Sequence, residues 1–274
     1  MPAQPPIVLS FAASDPTAGA GLQADLLAIA ALGCHPACVP TALTVQDTRG
    51  VEQIRALESD WVARQARCIL ADMPVAAFKL GVLGSAQNAA VIAAILAAYR
   101  AVPVVLDPVL ASGRGDALAD AATVQALRDS LLARATVVTP NSVEARALAG
   151  AAPDAALAPC ARRLVALGAK YVLVTGTHEP GAEVVNTLYG AQGTIAADRW
   201  PRLPGSYHGS GCTLAAALAA LLAQGLPVER AARRAQDYTW QALAAGFRPG
   251  RGQHLPDRLF ALRPQPRARR RGAR

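Results

Sequence analysis

Ala77-Phe78-Lys79-Leu80, then the run from Ala86 to Tyr99, then Val102-Pro103-Val104-Val105-Leu106 place a short apolar segment, an alanine-rich helical pattern and a β-branched segment in succession. A strand, a helix and a second strand in that order make a parallel pair, because the helix carries the chain back to the edge where the first strand began. The alternation continues in both directions. Toward the amino end stand a strand over Ile7 to Phe11, a helix over Gly21 to Leu32, a strand over Ala37 to Ala42 and a helix over Trp61 to Ala71. Toward the carboxyl end the pattern predicts a helix near Ala121 to Ala133, a strand over Thr136 to Thr139, helices near Val143 to Leu148 and Pro159 to Leu167, and a strand over Tyr171 to Val174. Val184 to Tyr189 and Thr194 to Ala197 bracket Gly190 to Gly193 as an antiparallel hairpin, and helices over Ser210 to Gln224 and Pro227 to Ala245 close the series. This predicts an α/β protein with a central, mainly parallel sheet flanked by helices on both faces. Ligands of such sheets collect at the carboxyl ends of the strands.

The chain has 274 residues, 53% hydrophobic and 17% charged, enough for one large core, and no internal repeat or linker divides it. A single domain over residues 1–262 is expected, followed by a basic, disordered tail over 263–274. Arg263, Arg267, Arg269, Arg270, Arg271 and Arg274 supply most of the net charge of +8, so the basicity belongs to a proline-containing terminus and not to a nucleic-acid-binding face. Cys34, Cys38, Cys68, Cys160 and Cys212 are too few and too scattered for a disulfide framework, which points to a reduced, cytoplasmic setting. Cys34, His35 and Cys38 lack the further ligands of a zinc site. The start, Met1 to Pro6, has no basic region, and no stretch of twenty apolar residues occurs, so neither a leader nor a membrane span is expected.

Tyr207-His208-Gly209-Ser210-Gly211-Cys212-Thr213 sets a thiol among glycines where an alanine- and leucine-rich helix begins. The first turn of a helix offers unpaired N–H groups and the positive end of its dipole, so an anion belongs there and a thiolate is favoured. Two readings follow for Cys212: a proton acceptor beside a bound phosphate, or a small buried side chain at the start of a core helix. Asp107 follows one strand, Asn141 follows another, and Glu144 lies one helical turn beyond Asn141. Such oxygen donors suit a hydrated magnesium ion, while Asn141 with Glu144 equally suits a helix-capping pair. Gly19-Ala20-Gly21-Leu22-Gln23-Ala24 has the spacing of a dinucleotide-binding turn, the mark of an NAD(P)-dependent oxidoreductase, but residues 12–18 separate it from the first strand. No G-x-x-x-x-G-K-[ST] loop or protein-kinase signature set is present.

Taken together, the segments Ser14–Asp25, Thr41–Thr48, Lys79–Leu83, Asp107–Val109, Thr139–Glu144 and His208–Thr213 resemble the ribokinase-like small-molecule kinases. Within them the chain is similar to the hydroxymethylpyrimidine/phosphomethylpyrimidine kinases of thiamine biosynthesis, which place cysteine where most of the larger family has aspartate. The resemblance spans about residues 7–245. It implies a ribokinase-like fold with a small or absent lid, a homodimer, and ATP and Mg2+ as cofactors. Carried over, Cys212 is the general base, Gly209, Ser210 and Gly211 line an anion hole, and Lys79 stands near the phosphates or the metal network. Asp107, Asn141 and Glu144 hold magnesium through water, and Asn141, Thr175, Gly176, Gly209 and Gly211 meet the nucleotide. Gly21, Asp25, Gln46, Val82 and Val109 surround the pyrimidine, with the Gln46 carboxamide matched to the aminopyrimidine edge. Pyridoxal or pyridoxine, with a hydroxymethyl group on another flat nitrogen ring, is the alternative substrate. Ala13, Thr17 and Ala18 stand where the family usually has glycine, serine and glycine, Val82 replaces a common methionine, and Thr175 occupies the place of a lysine in some relatives.

Overall fold

The computed structural model describes residues 4–263. Strands β1 (Ile7–Ser14), β2 (His35–Gln46), β3 (Val51–Ala56), β4 (Val75–Leu80), β5 (Val104–Leu106), β6 (Val137–Val138), β7 (Tyr171–Val174), β8 (Glu183–Gly190) and β9 (Gly193–Pro201) form one sheet in the order β3-β2-β1-β4-β5-β6-β7-β8-β9. The strands from β2 to β7 in that order pair in parallel, and β3, β8 and β9 run antiparallel at the two edges. The expected fold class holds, as does the hairpin of β8 and β9.

Two cores separate cleanly, because successive side chains of a strand point to opposite faces. Leu9, Phe78, Val104, Val138 and Val172 meet α2 (Ser59–Asp72), α3 (Ala86–Leu96), α5 (Ser142–Ala149) and α6 (Leu157–Ala166). Val8, Ala77, Val105, Val137 and Leu173 meet α1 (Gly21–Ala31), α7 (Ser210–Ala223) and α8 (Val228–Ala244). Every residue of α7 from Cys212 to Leu222 is buried. Its alanines let the helix lie close to the sheet, so the orientation of its first turn is set by packing along its whole length.

Two expectations needed correction. The helix predicted to run to Ala133 is regular only over α4 (Ala121–Ala126); a wide turn over Leu127–Leu131 and a tight one over Leu132–Arg134 follow. Arg263, assigned to the tail, is held by Asp257 at 2.7 Å and lies over Phe247; the rest of the expected tail, residues 264–274, lies outside the described part.

The chain reverses its direction of strand addition between β1 and β4, which opens a crevice above their carboxyl ends. Beyond Leu43, the partner of Ser14, β2 pairs only with β3, so this hairpin rises past the sheet as a small lid whose Gln46, Val51 and Ile54 face the crevice. The lid's base is stitched by Asn88 at the start of α3. Fully buried, its Nδ2 donates to the carbonyls of Thr41, Leu57 and Leu83 at 3.1, 3.2 and 2.9 Å. Asn88→Ala leaves those carbonyls without their donor and is expected to cost about 2–3 kcal/mol, read as a lower urea midpoint at unchanged slope.

Candidate active site

Six segments meet above the sheet: the ends of β1, β2, β4, β5 and β6, and the N-terminus of α7. They line a cleft with two arms. The first, of about 170 Å³, runs from Gln46 past Gly21, Val82 and Val109 to Cys212. The second, of about 420 Å³, runs from Thr175 and Ser210 toward Trp200 and Trp240. Thr175, Thr177, His178, Ser210 and Gly211 border both.

The junction is built by glycine. Gly209 caps α7 at φ +83, and a Cβ there would lie 1.8 Å from the carbonyl oxygen of Gly19. The N–H groups of Ser210, Gly211 and Cys212 have no carbonyl within the helix; Thr213 is the first to find one, in Gly209 at 3.0 Å. Gly211 lies flush against Asp107, where a Cβ would sit 3.7 Å from Oδ1. Arg258, 3% exposed, spans the loops behind this turn, donating to Ala18 O at 3.2 Å, to Gly19 O, and to Thr213 Oγ1 at 2.9 Å. Ala18 holds the left-handed conformation at φ +57, the sole non-glycine residue among the described ones to do so.

Beneath the cleft lies a buried charge cluster. The period of two that sends Ala77 toward α7 sends Lys79 there as well, and its Nζ lies 2.9 Å from Asp25 Oδ2, with both side chains fully buried. Asp25 Oδ2 also accepts the Ser10 hydroxyl at 2.5 Å. Neither Asp25 nor Lys79 lines the cleft, so a direct contact of Asp25 with substrate, or of Lys79 with phosphate, is not what the geometry offers; both act from below. Burial opposes the charge of Lys79, yet the carboxylates of Asp25 and Asp107 and the nearby sulfur outweigh it and hold the ammonium above its usual pKa.

Cys212 is 9% exposed and borders the first arm, beside Asp107. The helix start favours a thiolate and burial opposes it. Burial pushes the thiol up to about 12, against the pull of Lys79 and of a hydrogen bond from the Gly21 N–H. Gly21 itself requires its φ of +60, since a Cβ would meet Ala13 O at 2.3 Å.

Asn141 and Glu144 form the capping pair: Glu144 N–H donates to Asn141 Oδ1 and Asn141 N–H to Glu144 Oε2, each at 2.9 Å, while Oε1 accepts Leu110 N–H at 3.4 Å. Burial and the charge of Asp107 raise Glu144 to about 8, and burial raises Asp107 to about 6 despite Lys79. Asp107 Oδ2 is buried with no partner. A hydrated divalent cation fits this set: it answers an orphaned oxygen and two carboxylates that resist being charged together, and the capping bonds of Glu144 leave it for contact through water. Gly176 is the departure on the nucleotide side, lying behind the cleft with its N–H on Asn186 Oδ1 at 3.1 Å.

Three residues that the sequence analysis gave no role also stand at the site. Asp15 and His208 border the first arm, with Asp15 Oδ2 2.8 Å from His208 Nε2, and Arg258 holds the turn from behind. Of the Ala111–Asp116 loop, Ala111, Ser112 and Gly113 reach the cleft, and Arg114 and Asp116 tie the loop to the lid at Arg49 O and Val51 N–H.

An open α/β sheet whose last buried helix aims a glycine-flanked N-terminus into a two-armed cleft defines a ribokinase-like small-molecule kinase. Solved structures agree: the pyridoxal kinase of Staphylococcus aureus in complex with AMP-PCP and pyridoxal superposes with a TM-score of 0.83 at 28% identity, covering 93% of this chain and 94% of that one. The phosphomethylpyrimidine kinase of Clostridium difficile gives 0.76 at 30% identity, covering 87% and 99%. The hydroxymethylpyrimidine/phosphomethylpyrimidine kinase of Streptomyces coelicolor is 40% identical over 267 residues, 95% of this chain and 97% of its own. A family model described as phosphomethylpyrimidine kinase matches residues 15–257, and the chain belongs to that family. It is a phosphotransferase, and the oxidoreductase reading of residues 19–24 falls away.

Removing one partner of a buried ion pair strands the other. Lys79→Met is therefore expected to cost about 3–5 kcal/mol in urea unfolding, and adding Asp25→Leu should recover a large part of that loss. A double variant no more stable than Lys79→Met would show that the pair is not the source of the cost.

Proposed function

We propose that the chain transfers the terminal phosphoryl group of ATP to the hydroxymethyl oxygen of 4-amino-5-hydroxymethyl-2-methylpyrimidine, and then a second one to the resulting monophosphate, in thiamine biosynthesis. The observation that carries this reading is Cys212, standing at the N-terminus of α7 beside Asp107 where the arms of the cleft meet. The activity named for the Streptomyces relative supports it. The narrow first arm takes the flat ring, between Val82 and Val109 and over the backbone of Gly21, with Gln46 at its polar edge. The roomier second arm takes the nucleotide, with Thr175 at its entry. The family implies a homodimer acting in the cytoplasm.

Phosphoryl transfer asks the protein for position and for compensation of charge more than for covalent chemistry. The N–H groups of Gly209, Ser210, Gly211 and Cys212 form the anion hole that receives charge on the transferring phosphoryl group, and each such fixed donor contributes about 3 kcal/mol to lowering a barrier. Asp107, with Asn141 and Glu144, would hold Mg2+ through water, and that ion supplies neutralisation of phosphate charge. Cys212 first gives its own proton to solvent, a loss that Lys79 beneath it favours, and the thiolate then takes the hydroxymethyl proton as that oxygen bonds to the terminal phosphorus and ADP leaves.

The second transfer starts from a phosphate oxygen already ionised at neutral pH, so it needs no such acceptor. Cys212→Ala should slow the first transfer by about 10²-fold or more and the second far less, in single-turnover rates with each substrate; equal losses would reject the base role. Gln46→Leu should raise KM for the pyrimidine about tenfold while leaving ATP affinity unchanged, since one amide contact is removed from the first arm only; titration calorimetry with each ligand decides. A pyridoxal or pyridoxine kinase is the second reading, favoured by the superposition on the Staphylococcus enzyme. Parallel assays with the pyrimidine, its monophosphate and pyridoxal separate the two.

A further inference from the structure

Asp15, Gln46 and His208 come from the end of β1, the last residue of β2 and the turn before α7, and they meet at one ring nitrogen. Asp15 Oδ2 lies 2.8 Å from His208 Nε2, and the Gln46 side-chain nitrogen lies 3.2 Å from the same atom. Asp15, 3% exposed, is already an acceptor three times over. Its Oδ1 takes the N–H and the hydroxyl of Thr17, each at 2.8 Å, and its Oδ2 takes the N–H of Ala20 at 2.7 Å. Burial works against its charge, but the bonds from His208 and Thr17 outweigh that and hold its pKa below the usual carboxylate value. An ionised carboxylate only accepts, so the proton between Asp15 and His208 sits on Nε2.

That settles what Gln46 can present. A carboxamide nitrogen facing a protonated ring nitrogen sets donor against donor, and turning the amide by half a rotation puts Oε1 there at no change of shape. The imidazole cannot evade the conflict by swinging away. A Cβ on Gly19 would lie 2.4 Å from His208 Cδ2, so the ring is packed directly on that backbone, and the His208 N–H is fixed on His254 O at 2.9 Å.

We infer that Asp15 and His208 are positioning residues that lock the Gln46 carboxamide with its oxygen beside the imidazole and its amino group turned to the other side of the first arm. The order of acceptor and donor along the Gln46 edge is thereby fixed, and the edge selects a ring that presents an exocyclic amino donor and a ring-nitrogen acceptor in the complementary order. A ring bearing an oxo group in place of the amino group presents an acceptor and a ring N–H in the reverse order, and the locked amide rejects it. This rests on the proposed substrate class, and it adds which residues enforce the choice.

The test compares 4-amino-5-hydroxymethyl-2-methylpyrimidine with its 4-oxo analogue in the native protein and in His208→Ala. The native protein should prefer the amino compound in kcat/KM by about 100-fold or more, and His208→Ala should shrink that ratio at least about tenfold, mainly through KM, because the freed amide can turn to suit either ring. His208→Gln, which returns a donor to the same place, should restore part of the preference. An unchanged ratio in His208→Ala overturns the inference. A second readout is independent of activity: 15N resonances of the native imidazole should show His208 Nε2 protonated at neutral pH, and an unprotonated Nε2 overturns the lock. Should the native protein fail to phosphorylate the aminopyrimidine at all, the proposed function falls while the imidazole spectrum still judges the lock.

Discussion

Two backbones approach each other more closely than any side chain permits where Gly19 meets Gly209, and the cleft depends on that contact. It fixes how far the first turn of α7, with its unpaired N–H groups, reaches toward the strand ends. The carbonyls of Gly19 and Gly209 crowd together there, and the buried guanidinium of Arg258 lies against both of them. Compensation of this kind is worth more in a buried place than in water. One arginine near the end of the chain thus holds together a loop from its beginning and the start of α7.

The charge cluster below obeys the same logic of burial. Lys79 sits on the strand face that points to α7, under the sulfur, and Gly81 makes room for it, since a Cβ at that position would lie 2.6 Å from Nζ. Its charge is satisfied from the side by Asp25, and its field reaches upward into Cys212 and Asp107. The helix N-terminus and the ammonium both favour a thiolate, yet removal from water weighs more than either. Burial likewise resists charge on Asp107 and Glu144, so this corner of the cleft works against gathering three anions around one lysine.

Most of the sheet was legible because buried parallel strands are continuous apolar runs and the helices between them are long. Strand β3 was not: Val51-Glu52-Gln53-Ile54-Arg55-Ala56 is an edge strand, largely exposed, and its polar residues carry no burial signal. Asp107, Asn141, Glu144 and Cys212 were legible from their places after strands and before a helix. The protonation of Cys212 was not, because its sign turns on burial, which no local pattern encodes. Asp15, His208 and Arg258 act across separations of 193 and 239 residues, and only the folded chain brings them to their partners. Asp25 and Lys79 illustrate the intermediate case: each was singled out as a separate site residue, but their ion pair beneath the cleft is seen only in the folded chain.

Ala18 carries an outcome of another sort. A left-handed alanine costs on the order of 1 kcal/mol, and the bonds from Ala18 N–H to Asp15 O and from Arg258 to Ala18 O are what keep it folded. That strain is carried by a loop pinned on either side of Ala18, at Asp15 and at Gly19, so it is stored at the mouth of the first arm and not relaxed away.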